Sequence, residues 1–440
     1  MRFIGAGSCS VVFAFSEEEE RELVHLLGLP VNLSHFALRL SRLVTSQCPI
    51  CLGALRQFVG WRCAVELTDG LRALCVDAYP PLGTRCRDAR HAELVSNFSV
   101  DPCRLWPPSV PEIGENKVGT VSLVVEIKPK SAWKQPYVVG ISVDDQIYYL
   151  HPVKLCRCRF SLMRLLKEKR ECKQLATVGV DHSLYCPNQM LLGDQLSIMD
   201  ALLRLGQCPS NNLALISSSN DRDALDELDR TVVSVALKES GVFPILVNLQ
   251  LYGSNAELEW PVLDIELLYR WSTARDASTV RWIVQDVHHS LAREVKCSCQ
   301  MSVCERYDVM SSKIFSATHL LVPPLSLEEC VERFYTSTTA KDVSVLVAFS
   351  GYREPALPSP VGSSFGPITT GAGIVSSGSV VSFGRESLHG GVMLTIDRPV
   401  QGVCRVGVVD IDDKRHKPLW HYFFLDQDIL EAWEKFQPTL

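Results

Sequence analysis

The stretch Glu126-Ile127-Lys128-Pro129-Lys130 ends the clearest strand pattern in the chain, in which apolar residues alternate at Val121, Leu123, Val125 and Ile127. An extended backbone places Lys128 and Lys130 on one face, about 7 Å apart at a rise of roughly 3.3 Å per residue. Pro129 favours extended backbone at the preceding residue and lacks the N–H of a central strand, so the run predicts a strand end or a sheet edge. Spacing alone leaves two interpretations open: paired cations aimed at one anion, or ordinary lysines at a solvated strand end.

The composition is that of an ordinary globular protein, with 440 residues, 46% hydrophobic and 21% charged, and the length favours two lobes. A net charge of −6 provides no overall positive field for nucleic acid or an anionic membrane, so an anionic ligand needs a local basic pocket. The apolar stretch near the N-terminus is broken by glycine and serine and followed by four glutamates, unlike a signal peptide. No apolar run reaches the roughly 20 residues of a membrane helix. We expect an intracellular protein, in the cytoplasm or nucleus, without a membrane partner.

Periodicity outlines the elements of the chain. The opening predicts two strands joined by a turn that contains Gly5 and Gly7, followed by a short helix and a strand over 36–40. Farther on, the pattern predicts two helices and two strands, over 159–170, 194–205, 343–349 and 403–409. Glycine, serine, threonine and proline dominate residues 358–384, which we expect to form a flexible loop with little structure of its own.

Carboxylates adjoin two of the predicted strands. Asp410 follows the strand over 403–409 and begins a segment, 410–417, that mixes aspartates with lysine, arginine and histidine. A carboxylate at a strand end commonly holds Mg²⁺ against phosphates, and neighbouring cations neutralise the remaining phosphate charge. Asp342 precedes the strand over 343–349 and could accept a hydroxyl proton or bind a metal. A polar turn with self-paired charges explains 410–417 equally well.

Taken in order, these segments resemble the inositol-pentakisphosphate 2-kinase family. The run at 126–130 matches the family's most specific signature, and Ala340-Lys341-Asp342-Val343-Ser344 resembles its AKDCS segment with valine for cysteine. Residues 159–167 resemble the family's RFxMHQLLK helix, and Pro209-Ser210-Asn211-Asn212 resembles its PQNN element. Residues 409–426 are similar to the family's last strand and helix without a gap.

This resemblance implies an α+β fold with two lobes. An antiparallel-sheet N-lobe would span 1–118, a larger α+β C-lobe would span 119–440, and ATP would lie between them. The implied reaction is ATP- and Mg²⁺-dependent phosphorylation of the 2-hydroxyl of inositol 1,3,4,5,6-pentakisphosphate to the hexakisphosphate, by a monomer that does not bind nucleic acid. A non-catalytic inositol-polyphosphate-binding scaffold with the same fold, or a kinase for another inositol phosphate, is the alternative.

The resemblance also implies residue roles. Asp342 would accept the hydroxyl proton, and Lys128 would bridge nucleotide and inositide. The implied nucleotide contacts are Gly5, Gly7, Arg39, Asn97, Lys128 and Asp410. The implied inositide contacts are Arg85, Lys128, Lys130, Lys167, Asn211, Asn212, Lys414 and Tyr422. Asp410 would hold Mg²⁺, with Asp342 as a second candidate ligand.

The chain departs from the family's pattern at several positions. Ala214 and Pro418 stand where the family often carries arginine, and either Arg415 or Lys417 is expected to supply a phosphate contact near Pro418. The substrate-side arginine of the first lobe is either Arg85 or the nearby Arg87.

The family also carries a structural zinc site of two histidines and two cysteines in its C-terminal lobe. The candidates in this chain fall within 288–319: His288 or His289, His319, and two of Cys297, Cys299 and Cys304. Thiolate and imidazole ligands suit tetrahedral zinc. The Cys-x-Cys spacing departs from the usual Cys-x-x-Cys, and without the resemblance free thiols and surface histidines would be the better interpretation.

Overall fold

The described strands of the protein form three antiparallel sheets. The computed structural model describes residues 2–6, 10–26, 36–41, 53–60, 62–65, 67–81, 91–97, 120–131, 138–171, 185–207, 209, 211–218, 224–285, 318–352, 381–386, 392–396 and 401–436. The strands are, in chain order, β1 (Arg2–Ala6), β2 (Ser10–Ala14), β3 (Phe36–Ser41), β4 (Arg62–Val65), β5 (His91–Ser96), β6 (Thr120–Ile127), β7 (Val138–Val143), β8 (Gln146–Tyr149), β9 (Leu213–Ser218), β10 (Arg281–Gln285), β11 (Thr318–Leu321), β12 (Ser344–Tyr352), β13 (Val381–Glu386), β14 (Val392–Ile396) and β15 (Gln401–Val409).

The first sheet has the order β1-β2-β3-β5-β4, the second β11-β10-β7-β8, and the third β13-β14-β15-β12-β6-β9. Every pairing between described strands is antiparallel. The principal helices are α1 (Glu17–Leu26), α2 (Asp69–Ala78), α3 (Pro152–Cys156), α4 (Arg159–Glu171), α5 (Pro187–Leu192), α6 (Gln195–Gln207), α7 (Glu227–Glu239), α8 (Val242–Tyr252), α9 (Ile265–Ser272), α10 (Leu327–Ala340) and α11 (Leu419–Phe436). The protein is therefore of the α+β class, as the sequence predicts.

Two central strands of the six-stranded sheet, β6 and β12, are apolar because both of their faces are covered. Val125 and Val345 point into the largest core cluster, which also contains buried side chains of α5 to α8. Val124 and Leu346 pack into a smaller cluster on the opposite face. Burial on both faces gives such strands nearly continuous hydrophobic sequence.

The register of four adjacent strands fixes which segments meet at one end of this sheet. Ser344 at the start of β12 pairs with Val409 at the end of β15. Ile127 at the end of β6 pairs with Val345 on one side and with Leu213, the first residue of β9, on the other. Because the strands are antiparallel, β6 and β15 end where β12 and β9 begin. The loops at 128–130, 211–212, 341–343 and 410–414 therefore lie side by side.

Two sequence-based expectations need correction. The run ending at Lys130 is a strand end but not a sheet edge, because β6 lies between β12 and β9. The strand stops at Ile127, and Lys130 has left-handed backbone with φ of 62°, so Lys128 and Lys130 do not continue one extended face. Residues 381–384 belong to β13 instead of a loop, because β13 gains ladder hydrogen bonds with β14. Residues 358–380 lie outside the described part.

Among the described residues, no single helix is long and apolar enough to cross a membrane. The pair α7 and α8, bent by 63° at the break between them, satisfies length and composition when taken together.

Two glycines that flank α8 provide a matched test of its packing. Gly241 and Gly253 have left-handed backbone, with φ of 72° and 63°. A Cβ at Gly241 would meet nothing within 4 Å, whereas one at Gly253 would lie 2.4 Å from the carbonyl oxygen of Arg333 in α10. Both alanine variants carry the left-handed penalty of about 1–2 kcal/mol. We expect Gly253→Ala to lower the free energy of unfolding more than Gly241→Ala does, because the backbone of Arg333 must move to make room for the new Cβ. Equal decreases for the two variants in denaturant unfolding would contradict the close approach of Gly253 to Arg333.

Candidate active site

Asp342 is shared by two lysines from distant parts of the chain. Lys130 Nζ lies 3.0 Å from Asp342 Oδ1, and Lys414 Nζ lies 2.9 Å from Asp342 Oδ2. Burial acts to raise the pKa of Asp342, but the two ammonium groups together outweigh burial and hold this pKa well below its usual range. The carboxylate is therefore ionised at neutral pH, with a cation at each oxygen.

A second cluster surrounds Lys128. Its Nζ lies 2.8 Å from Asp410 Oδ2 and 3.8 Å from Glu126 Oε1. The buried Ser344 hydroxyl lies 2.6 Å from Glu126 Oε1 and 3.0 Å from Asp410 Oδ2, and its single proton can serve one of them at a time. Burial lowers the pKa of Lys128, but the neighbouring carboxylates, Asp410 first, raise it above its ordinary value.

The turns that carry these groups are held in place by hydrogen bonds. Lys130 and Asp410 both have left-handed backbone, with φ of 62° and 61°, a conformation that persists in non-glycine residues when the surroundings enforce it. Tyr185 donates its hydroxyl to the carbonyl of Pro129 at 2.7 Å. The buried Gln250 donates Nε2 to the carbonyls of Lys130 and Ala340, at 3.0 and 3.1 Å. Gln250 therefore fixes the Lys130 turn to the end of α10, beside Asp342.

A cavity of about 450 Å³ lies beside Asp342. The described residues that line it include nine cationic side chains and three carboxylates: Lys130, Lys154, Arg157, Arg159, Arg164, Lys167, Lys341, Lys414 and Lys417, with Asp264, Asp342 and Asp426. This local excess of six positive charges contrasts with the net charge of −6 of the whole chain. A cleft lined by one sign of charge concentrates ligands of the opposite sign, and the volume suits a small molecule.

Three carboxylates converge on Lys154 in the wall of this cavity. Its Nζ lies 2.9 Å from Asp264 Oδ1 and 3.0 Å from Glu266 Oε2, and it also contacts Asp426. Asp426 pairs in addition with Arg159. Carboxylate oxygens of Asp264, Glu266 and Asp426 lie within 4.8 Å of one another, close enough to hold a cation. In this structure the Lys154 ammonium already provides that positive charge and ties α3, α9 and α11 together.

Ion pairs also connect the five-stranded sheet to the segment after β15. Arg39 of β3 contacts both carboxylate oxygens of Asp412, with Nη1 2.9 Å from Oδ1. Arg39 also lies 3.6 Å from Glu93, which pairs with Arg62 of β4. In addition, Arg405 of β15 donates to the carbonyl of Asn97 at 3.1 Å. The five-stranded sheet is thus attached to Asp412, which lies two residues after Asp410.

Most of the expected site residues that fall in the described part lie around these clusters. Six line the cavity, namely Lys130, Lys167, Asn212, Asp342, Lys414 and Tyr422. Lys128 and Asp410 contact each other next to it. Asn212 also has a buried Oδ1 without a hydrogen-bond partner among the described residues. The neighbouring Asn211 is exposed and is not part of the cavity lining.

The remaining expected residues lie elsewhere. Arg39 binds Asp412, Gly5 lies in β1, and His319 is exposed on β11. The residues that fall outside the described part are Gly7, Arg85, Arg87, His288, His289, Cys297, Cys299 and Cys304. Of the two cations considered near Pro418, Lys417 lines the cavity, whereas Arg415 pairs with Asp413 and Glu332.

Sequence reasoning missed several residues that support the site. Lys154 and Gln250 had no local signal, because their partners Asp264 and Lys130 are 110 and 120 residues away along the chain. Ser344 belongs to a segment that matches the family, but the match gives no role to its hydroxyl, which lies between Glu126 and Asp410. A signal was available for Ser344, since it is a polar residue directly before the apolar run 345–349.

The carboxylates of Glu126 and Asp410, in the cluster around Lys128, are the kind of oxygen ligand that Mg²⁺ prefers. The Asp410 side chain is 42% exposed, so one of its oxygens is accessible to a ligand. Asp342 fits the expectation of a metal ligand less well, because each of its oxygens already faces a lysine.

The fold and the site together define an α+β protein with a polycationic cavity beside clustered carboxylates and lysines. A family model described as inositol-pentakisphosphate 2-kinase matches residues 69–428 of the 440. The chain belongs to this family, which confirms the resemblance drawn from the sequence and places it among kinases, enzymes that generally use ATP and Mg²⁺. A search of curated proteins found no match.

The shared carboxylate gives a test of the site's electrostatics. We expect Asp342→Asn to lower the free energy of unfolding without ligand, because Lys130 and Lys414 lose their counter-charge. The side chain is 50% exposed, so solvent screening limits the loss to about 1 kcal/mol. Because the folded-state pKa of Asp342 is depressed, this contribution is present above the unfolded-state pKa, about 3.9, and is lost below it. Denaturant unfolding should therefore show a wild-type advantage at pH 7 that shrinks toward pH 3; a pH-independent difference would contradict the ion pairs.

Proposed function

We propose that this protein transfers the γ-phosphoryl group of ATP to the 2-hydroxyl of inositol 1,3,4,5,6-pentakisphosphate, giving inositol hexakisphosphate. The observation that carries the proposal is the excess of six positive charges in a cavity that adjoins Asp342. Each phosphate monoester carries roughly −1.5 to −2 charges at neutral pH. A small ring that carries five of them is a polyanion, and a cavity with this excess of positive charge attracts such a ligand.

In this proposal ATP binds between the five-stranded sheet, as the N-lobe of residues 1–118, and the rest of the chain as the C-lobe. Support comes from the ion pairs that join Arg39 to Asp412, close to Asp410. Arg39, Asn97 and the turn containing Gly5 and Gly7 would contact the nucleotide from the first lobe. Lys128 would contact its phosphates from the second, since its ammonium already lies beside Asp410.

Asp410 would hold Mg²⁺ together with its neighbour Glu126. When bound there, the ion neutralises charge on the phosphate oxygens. Ser344 would orient the two carboxylates, because its hydroxyl lies within hydrogen-bond distance of both. Lys128 would have to turn from Asp410 toward the phosphates, which would leave the Asp410 carboxylate available to hold the cation.

Asp342 would act as the proton acceptor after an exchange of partners. In the structure its negative charge is held by Lys130 and Lys414, which makes it a weak base. When these ammonium groups turn to substrate phosphates, the pKa of Asp342 rises toward its ordinary range. The 2-hydroxyl oxygen then attacks the γ-phosphorus, the bond to the ADP oxygen breaks, and the hydroxyl proton passes to Asp342.

Lys167, Lys414, Asn212 and Tyr422 would bind the inositide from the cavity walls. Tyr422 donates its hydroxyl to the carbonyl of Lys414 at 3.1 Å and so helps to position that lysine. Lys417 would supply the contact that the family often assigns to an arginine near Pro418.

Structural zinc stays a prediction that rests on the family resemblance. Two histidines and two cysteines in 288–319 would bind it. We expect metal analysis of the purified chain to find about one equivalent of zinc, and the Cys297→Ser variant to contain less. Zinc-free protein that folds normally would contradict this part of the proposal.

Incubating the protein with ATP, Mg²⁺ and a panel of inositol phosphates tests the reaction. We expect turnover of the 1,3,4,5,6-pentakisphosphate to the hexakisphosphate, with KM rising at higher ionic strength because salt screens the attraction between cavity and substrate. Tight hexakisphosphate binding without turnover would favour the scaffold alternative. Preference for a less phosphorylated inositol would favour a different inositol phosphate kinase.

We further expect Lys128→Ala to reduce turnover by roughly 10²-fold or more, as for other groups that stabilise developing charge in a transition state. Lys238→Ala is the matched control, because Lys238 is an exposed lysine at the end of α7, away from the cavity. The control should keep the wild-type rate. The site assignment would be refuted if turnover changed neither with ionic strength nor with the Lys128→Ala substitution.

A further inference from the structure

Lys341 lines the cavity but takes part in none of its ion pairs. Lys130, Lys154 and Lys414 each have a carboxylate oxygen within 3.0 Å of Nζ. By contrast, no carboxylate oxygen in the described part of the chain lies within 4.0 Å of the Lys341 ammonium. Lys341 follows α10 directly and precedes Asp342, whose side chain reaches Lys130 and Lys414 instead.

The surroundings of Lys341 make this isolation costly. The side chain is partly buried, and Arg159 repels its positive charge more strongly than Asp264 attracts it. A cation that is removed from water needs an anionic or hydrogen-bonding partner, and proteins seldom bury a cation that lacks one. The carboxylates near Lys341 are already engaged, Asp264 by Lys154 and Asp426 by both Lys154 and Arg159.

The backbone around Lys341 is held in place by hydrogen bonds. The Lys341 N–H donates to the carbonyl of Ser337 at 3.0 Å. Ser337 Oγ donates to the carbonyl of the Gln250 backbone at 2.6 Å, and Gln250 Nε2 donates to the carbonyl of Ala340. These bonds anchor the end of α10 to α8. Lys341 therefore lines the cavity from a fixed backbone position.

We propose that Lys341 is a phosphate-binding residue of the cavity, where a phosphate group of the inositide supplies the counter-charge that the protein does not. This inference rests on the proposed function of the site. It extends the phosphate-binding wall from Lys130 and Lys414 toward Arg159 and the Lys154 cluster. Neither Lys341 nor this part of the wall belongs to the contacts implied by the sequence.

The test compares stability and binding in Lys341→Met, with inositol hexakisphosphate as the probe. Without the probe, we expect the thermal midpoint to stay equal or rise, because methionine fills the same space without an unpaired charge. With the probe, we expect the dissociation constant to increase about tenfold or more, the loss of one charge-assisted hydrogen bond. The salt dependence of binding, measured by calorimetry, should also become shallower, since one fewer cation attracts the probe.

Two further variants serve as controls. Lys341→Arg keeps the positive charge and should retain most of the affinity lost in Lys341→Met. Lys238→Met removes a lysine outside the cavity and should change neither affinity nor salt dependence.

The possible results separate this inference from the proposed function. If Lys341→Met binds the hexakisphosphate like the wild type, with the same salt dependence, the role of Lys341 is refuted while the proposed function stands. A lowered thermal midpoint with an unchanged stabilisation by the probe would also refute it, because the lysine would then be structural. If the wild type itself neither binds the hexakisphosphate nor phosphorylates the pentakisphosphate, both proposals fall.

Discussion

The antiparallel register of β15, β12, β6 and β9 is the constraint on which the site depends. Ser344 pairs with Val409, and Ile127 pairs with both Val345 and Leu213, so two strands end where two begin. Ladder hydrogen bonds and burial on both faces fix this register, because a slip by one residue would exchange the two faces of a strand. Four loops that are separated by tens to hundreds of residues along the chain are thereby placed within reach of one another.

Charge balance then determines what these loops can do. Asp342 is neutralised by Lys130 and Lys414, Asp410 by Lys128, and the Asp264–Glu266–Asp426 group by Lys154 and Arg159. Each of these carboxylates thus has a cationic partner, whereas the cavity residues Lys167, Lys341 and Lys417 form no ion pair with any described residue. A protein with a net charge of −6 can in this way present a strongly positive interior to a polyanion. The same ammonium groups that now hold carboxylates are available for exchange with phosphates, which is the chemical basis of the mechanism proposed above.

Contacts of the five-stranded sheet with β15 and the segment after it couple that sheet to the site. The guanidinium of Arg39 binds Asp412 through both carboxylate oxygens, and Arg405 reaches the carbonyl of Asn97. Both contacts involve β15 or the segment that follows it. A movement of the five-stranded sheet would therefore act directly on the backbone next to Asp410, which already has left-handed conformation. The attachment of the five-stranded sheet therefore helps to position that carboxylate.

The sequence by itself determined the α+β class, the strands that became β6, β12 and β15, and the segments that carry Lys128, Lys130, Asp342, Asp410 and Lys414. These depend on local periodicity and on motif matches, which a linear sequence contains. It did not determine that Lys130 and Lys414 share Asp342, or that Gln250 and Lys154 support the site, because such contacts join residues tens to hundreds of positions apart. It also placed the lysine pair on one extended face, which the left-handed turn at Lys130 excludes. Only the tertiary structure decides which charges meet, because partner choice follows from strand register and distance in space.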